Sequence, residues 1–197
     1  MHRLAGTVAG ALVALVQATS VASESPPPHG DGLATRKDAA VYADAAPLLG
    51  TLVQTHTEER VPLDESTPTD ARFQALMMDR VTAEAHPMDA RLLGLLRTLG
   101  ARHPGARIEL VSGYRSAKLN EMLRKKGHHV ASHSQHSLGH ACDFRLVEAG
   151  AAKGLDPRDV EKEIRALGWD GGVGSYRVET DWFVHADVGP NRRWDGY

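Results

Sequence analysis

The sequence predicts a single α+β domain in which helices lie over one face of a largely antiparallel sheet. Two observations carry this expectation. The periodic segments run helices, strand, helix, strand, helix and then two closing strands, an order suited to mixed layers rather than to a bundle or a sandwich. The two best strand candidates, HACDFRLV and DWFVHAD, place chemically different residues on alternate positions, as strands with two distinct faces do. The length agrees, since 197 residues suit one domain with a sizeable core.

Taken in order, residues 1–23 read as a secretory signal: a basic start at Arg3, an apolar run over 4–16, and small residues at Ala18, Ser20 and Ser23, with cleavage expected after Ser23 and Ala18 or Ser20 as alternative sites. The apolar run is short for a bilayer span, so no stable membrane insertion is expected after cleavage, and the mature protein is expected to be secreted or periplasmic. Residues 24–48 hold a proline- and glycine-rich linker, SPPPHGDG, and the start of an alanine-rich, helix-compatible stretch over 34–49. The folded domain is expected over 49–197.

Within it, LGTLVQTHTEERVPL has the branched and apolar residues of a short hairpin. Residues 67–70 offer caps for a helix whose inner stripe is Phe73, Leu76, Met77 and Val81. The clearest helix follows, with Asp89 near its start, Leu92, Leu93, Leu96 and Leu99 at helical spacing, and Pro104 and Gly105 at its end. Ile108, Leu110 and Val111 form a strand that runs into SGYRS. Ser116 then caps a helix carrying Leu119, Met122 and Leu123 up to Gly127, so Arg115 stands at a strand-to-helix junction. His128 and His129 read as solvated loop residues. Gly139 permits a turn into HACDFRLV, where Asp143 faces one way and Cys142 and Phe144 the other. Asp156 as N-cap, Pro157 at the first position, an inner stripe of Val160, Ile164 and Leu167, and Gly168 as stop define the last helix. GGVGSYRVE and DWFVHADVG close the chain as a hairpin, with Asp181, Phe183, His185 and Asp187 on one face of its second strand.

Composition narrows the function classes. A formal charge of −2 and a pI near 6.6 give no electrostatic footprint for nucleic acid. Loss of Arg3 with the signal leaves 22 basic against 25 acidic side chains, a mature charge of −3. The single cysteine, Cys142, excludes an internal disulfide and reads as buried apolar filler. GGVGSY lacks the strand–loop–helix context of a phosphate-binding loop and reads as a turn lining a cleft. Trp169, Trp182 and Trp194 read as packing residues or as closure of the C-terminal tail.

The chemistry is concentrated in residues 132–145, SHSQHSLGHACDFR, whose core is Ser134-x-His136-x-x-Gly139-x-Ala141-x-Asp143. An imidazole from His136 and a carboxylate from Asp143 are ordinary zinc ligands, and a catalytic zinc needs a third protein ligand and a free position. His185 in DWFVHAD can supply it, looking toward Asp143 from a neighbouring strand. The five-residue pattern should arise by chance in a chain of this length with a probability on the order of 10⁻⁴. The competing reading makes His136 a loop residue, pairs Asp143 with a neighbour such as Arg145, and buries His185 in the core.

SGYRS, SQHSLGHACDF and GGVGSYRVETDWFVHADVGPNRRW, in that order, closely resemble the zinc D-alanyl-D-alanine carboxypeptidases and dipeptidases, which share a fold with the Hedgehog signalling domain. Within that family the likeness is to the exported bacterial branch, and it runs from about residue 49 to 194. The resemblance implies a zinc site on His136, Asp143 and His185. It implies an oxyanion- or substrate-holding role for Arg115 and a substrate contact for Ser134, with peptidoglycan stem peptides as the substrate of a D,D-carboxypeptidase or murein endopeptidase. The best-understood relatives carry an acidic residue three positions before the last histidine, where this chain has Trp182. Asp187 and Asp181 are the candidate bases in its place. A zinc-stabilised binding or regulatory module of the same fold is the alternative.

Overall fold

The computed structural model describes residues 47–126, 134–179 and 181–196. The signal, nearly all of the segment to residue 48, Gly127, His128 and His129 lie outside the described residues. β1 (Gly50–Gln54) and β2 (Glu59–Leu63) form the expected hairpin. They are followed by α1 (Asp70–Leu76), α2 (Ala90–Arg102), β3 (Ala106–Ser112), α3 (Ala117–Lys125), a 3₁₀ turn (Gln135–Leu138), β4 (Ala141–Val147), α4 (Pro157–Ala166), β5 (Gly172–Val178), β6 (Asp181–Asp187) and β7 (Arg192–Gly196).

The helix starts follow their caps. Thr69, Asp89, Ser116 and Asp156 each accept a backbone N–H of the helix they open, satisfying donors that the first turn leaves without partners. Val81 departs from expectation. α1 stops at Leu76, and Asp79 then accepts the N–H groups of Val81 and Thr82 at 2.7 and 2.9 Å, turning the chain and leaving Val81 exposed. The apolar stripe therefore ends at Met77, which is buried.

All seven strands join one sheet in the order β2-β1-β3-β4-β6-β5-β7, antiparallel except for the β1/β3 and β5/β7 pairs. One face of the central strands, carrying Leu110, Cys142, Phe144, Val184 and Ala186, shares a core with Leu92, Leu96 and Leu99 of α2 and Val160 and Ile164 of α4. Cys142 is buried there, and burial pushes its thiol up from its ordinary value, consistent with an inert filler. β7 is a finding beyond the sequence reading: RRWDG, short and charged, adds to the sheet edge alongside β5.

Candidate metal centre

Alternation along β4 and β6 turns Asp143 and His185 away from the helix-covered core, and the register sets them directly opposite one another. The third group comes from the 3₁₀ turn. Gly139 ends that turn at φ +70°, a left-handed conformation, and a Cβ there would collide with the Pro87 carbonyl oxygen. This tight exit seats His136, 2% exposed, over the sheet.

The three side chains converge. His185 Nδ1 lies 2.8 Å from Asp143 Oδ1, His136 Nε2 lies 3.2 Å from the same oxygen, and the two nitrogens are 3.2 Å apart. The opposite nitrogen of each ring is already committed: His136 Nδ1 donates to the Gly113 carbonyl at 2.7 Å and His185 Nε2 to Asp187 Oδ2 at 3.0 Å. Those partners fix the tautomers, so two imidazole lone pairs and a carboxylate oxygen face one another. Three acceptors at such spacing require a cation or proton among them. Ligands about 2.0–2.1 Å from a tetrahedral ion stand about 3.3 Å apart, close to the triangle observed, so these residues fit zinc.

Electrostatics distinguish the three groups. Burial, reinforced by the nearby Arg115 charge, lowers the pKa of His136 to about 4, which keeps its ring neutral at physiological pH. Burial works against the Asp143 anion, yet the Arg115 guanidinium donating to it outweighs that cost and holds the carboxyl well below its usual range. His185 moves the other way: burial disfavours its protonation, but the Asp143 and Asp187 carboxylates prevail and raise its pKa.

Arg115 donates through Nη2 to Asp143 Oδ2 at 2.6 Å and through Nε to Ser112 Oγ at 3.0 Å, so it joins the cluster by holding the carboxylate. Ser134 is buried at the start of the 3₁₀ turn, where its side chain makes no capping bond. Asp187, fully buried, accepts from His185, from Arg192 Nη2 at 2.8 Å, and from the N–H groups of Gly172 and Gly189 at 3.1 and 2.8 Å. Burial opposes its ionisation, but these donors bring its pKa down to about 2. It meets the cluster through His185. Asp181 lies four residues back along β6, roughly 13 Å at strand rise, and is not brought to the cluster. Trp182 turns to the other face, its indole N–H donating to the Gly154 and Leu155 carbonyls.

Several contributors escape the sequence reading. Ser112 and Gly113 lie inside SGYRS but act through a hydroxyl and a carbonyl. Asp79 accepts the Ser116 N–H at 2.6 Å and so anchors the junction bearing Arg115. Arg192 arrives on β7 beside Trp194, which the sequence offered only as a packing or tail-closing residue.

Residues 54–194 match the family model described as peptidoglycan L,D-endopeptidase MepK. A protein of Haemophilus influenzae, named probable peptidoglycan L,D-endopeptidase MepK, is 38% identical over 129 residues, covering 64% of this chain and 63% of that one. Peptidoglycan L,D-endopeptidase MepK of Escherichia coli K12 is 41% identical over 104 residues, covering 53% of this chain and 49% of that one. The chain thus spans between about half and just under two thirds of these relatives. No solved structure gives a significant match. Since the family match runs from the end of β1 to Trp194 on β7 and takes in every residue of the cluster, the chain belongs to that family, the branch of the zinc D,D-peptidases that its motifs resemble.

Proposed function

We propose that the protein is a zinc-dependent peptidase that cuts peptide bonds in peptidoglycan, acting in the periplasm or outside the cell after loss of its signal. One observation carries this reading: His136 Nε2, Asp143 Oδ1 and His185 Nδ1 form a triangle of acceptors with sides of 2.8–3.2 Å, and each imidazole is held in the ligating tautomer by a partner behind it. Zinc bound there supplies a Lewis acid beside the scissile carbonyl and the attacking water. The protein's own groups do the positioning. Gly113 and Asp187 aim the two rings, and Arg115 holds Asp143. From that place the Arg115 cation also stabilises negative charge developing on the carbonyl oxygen, and Ser134 contacts the substrate chain.

The names of the relatives favour an L,D bond within or between stem peptides over a terminal D,D bond. Digestion of purified cross-linked muropeptides, with products separated by mass, tests the reading. Cleavage at an L,D bond that stops on chelation and returns with zinc is expected; no cleavage by the zinc-loaded protein contradicts it.

One observation favours a second reading, a zinc-stabilised wall-binding module without turnover. Trp182 stands three positions before His185, where the zinc D-alanyl-D-alanine carboxypeptidases that the motifs resemble carry an acidic residue, and Asp187 is already engaged by four donors. Retention on purified cell walls by a zinc-loaded protein that releases no peptide would establish it.

A further inference from the structure

β7 carries two residues whose contacts converge on His185. Its parallel pairing with β5 sets Arg192 beside Gly172 and Trp194 beside Gly174, and Gly174 in turn lies directly opposite His185 on β6. Arg192 and Trp194 therefore share the sheet face of the metal cluster. Trp194 lies over the strand: a Cβ at Gly174 would collide with its indole, so only glycine leaves the ring room. The ring stands 5.2 Å from the His185 ring, centroid to centroid, at a tilt of 53°. Its own N–H donates to the Tyr176 hydroxyl at 3.1 Å, which anchors the indole. Arg192 reaches the same histidine by another route. Its Nη2 donates to Asp187 Oδ2, the oxygen that accepts from His185 Nε2, and its guanidinium carbon lies 5.1 Å over the Trp194 ring.

Resting on the zinc reading above, we infer that β7 is part of the metal-holding apparatus: Arg192 and Trp194 are positioning residues that fix the orientation of the His185 ring and thereby set zinc affinity. The physical reason is rotational. A histidine ligand held by one hydrogen bond can still pivot about that bond; a ring packed on one face and a carboxylate pinned by a guanidinium restrict the pivot, so Nδ1 is aimed before metal arrives. Partners behind a ligand, when removed, typically cost 10–100-fold in metal affinity.

The test is zinc affinity of the full chain, measured by competition with a chromophoric chelator, beside thermal unfolding of the metal-free protein. Arg192→Ala and Trp194→Ala should each weaken zinc binding about tenfold or more. Arg192→Lys, which keeps a cation beside Asp187, should stay within about threefold of wild type. The metal-free unfolding midpoint of Arg192→Ala should move little, because this side chain is half exposed on an edge strand. Trp194→Phe, which retains a ring against His185, should stay within about threefold of wild type. Wild-type affinity in Arg192→Ala would overturn the inference, as would wild-type affinity in a folded Trp194→Ala variant. So would equal losses in Arg192→Ala and Arg192→Lys that track a lowered metal-free midpoint, the mark of a merely structural role. Failure of the wild type to bind zinc would instead overturn the metallopeptidase reading itself.

Discussion

The two faces of β4 and β6 are made from alternate residues of the same short segments, yet they are buried by different means. On one, Cys142, Phe144, Val184 and Ala186 meet the leucines of α2 and the inner residues of α4. On the other, Asp143, His185 and Asp187 are 2%, 8% and 0% exposed, enclosed among the described residues by the 3₁₀ turn, the SGYRS junction and β7. The first face gains from removing apolar surface from water. The second has to balance the desolvation of polar groups with hydrogen bonds and ion pairs. The apolar core and the candidate metal site thus lie back to back on the same backbone.

Phe144→Ala should give the largest change in folding. Removing a fully buried aromatic ring typically costs 3–5 kcal/mol, to be read from denaturant unfolding. Zinc stoichiometry of the folded fraction should be unchanged; loss of metal at full stability would break the separation of the faces. Asp187→Asn should do the reverse. It keeps the shape but gives up the carboxylate that steers His185, so zinc affinity should fall 10–100-fold by chelator competition, with hydrolysis falling in parallel. If hydrolysis disappeared at normal zinc occupancy, Asp187 would be the base rather than an orienting group.

Asp79 sharpens the comparison, being a buried carboxylate that serves the backbone. It accepts three N–H groups, from Val81, Thr82 and Ser116, and although burial opposes its ionisation those bonds lower its pKa. Asp79→Asn should cost about 2 kcal/mol, since hydrogen bonds to charged groups contribute about 1.5–3 kcal/mol each and the amide retains part of them. A lowered carboxyl pKa stabilises the fold above the unfolded value, so the gap from wild type should be full above about pH 4 and close as the pH falls below it. A gap independent of pH would contradict this. Asp181→Asn, remote from the cluster, should change muropeptide hydrolysis less than about twofold; a larger loss would restore it as a candidate base.

What the sequence made legible divides along the same line. The core face and its helices follow from periodicity and caps: Asp89, Asp156 with Pro157, and the leucine stripe of α2 are local signals with local consequences. The three converging ligands were legible through the motif and through the alternation that turns Asp143 and His185 to one face. What encloses them was not. The Gly113 carbonyl has no side-chain signature, and Asp79 sits in what reads as a continuing helical stripe until its carboxylate turns the chain. β7 has neither alternation nor an apolar run, because an edge strand of RRWDG needs only one neighbour and leaves Arg192 half exposed and Arg193 more so. Its contact with His185 depends on a parallel pairing that no local pattern specifies.

The central claim is that the three converging groups hold a metal. Elemental analysis of the purified mature protein, beside a His185→Ala variant, tests it most directly. About one zinc per chain, lost in the variant while the fold is retained by circular dichroism, is the predicted result. A wild type that takes up no zinc after reconstitution, or a variant that keeps a full equivalent, would contradict it.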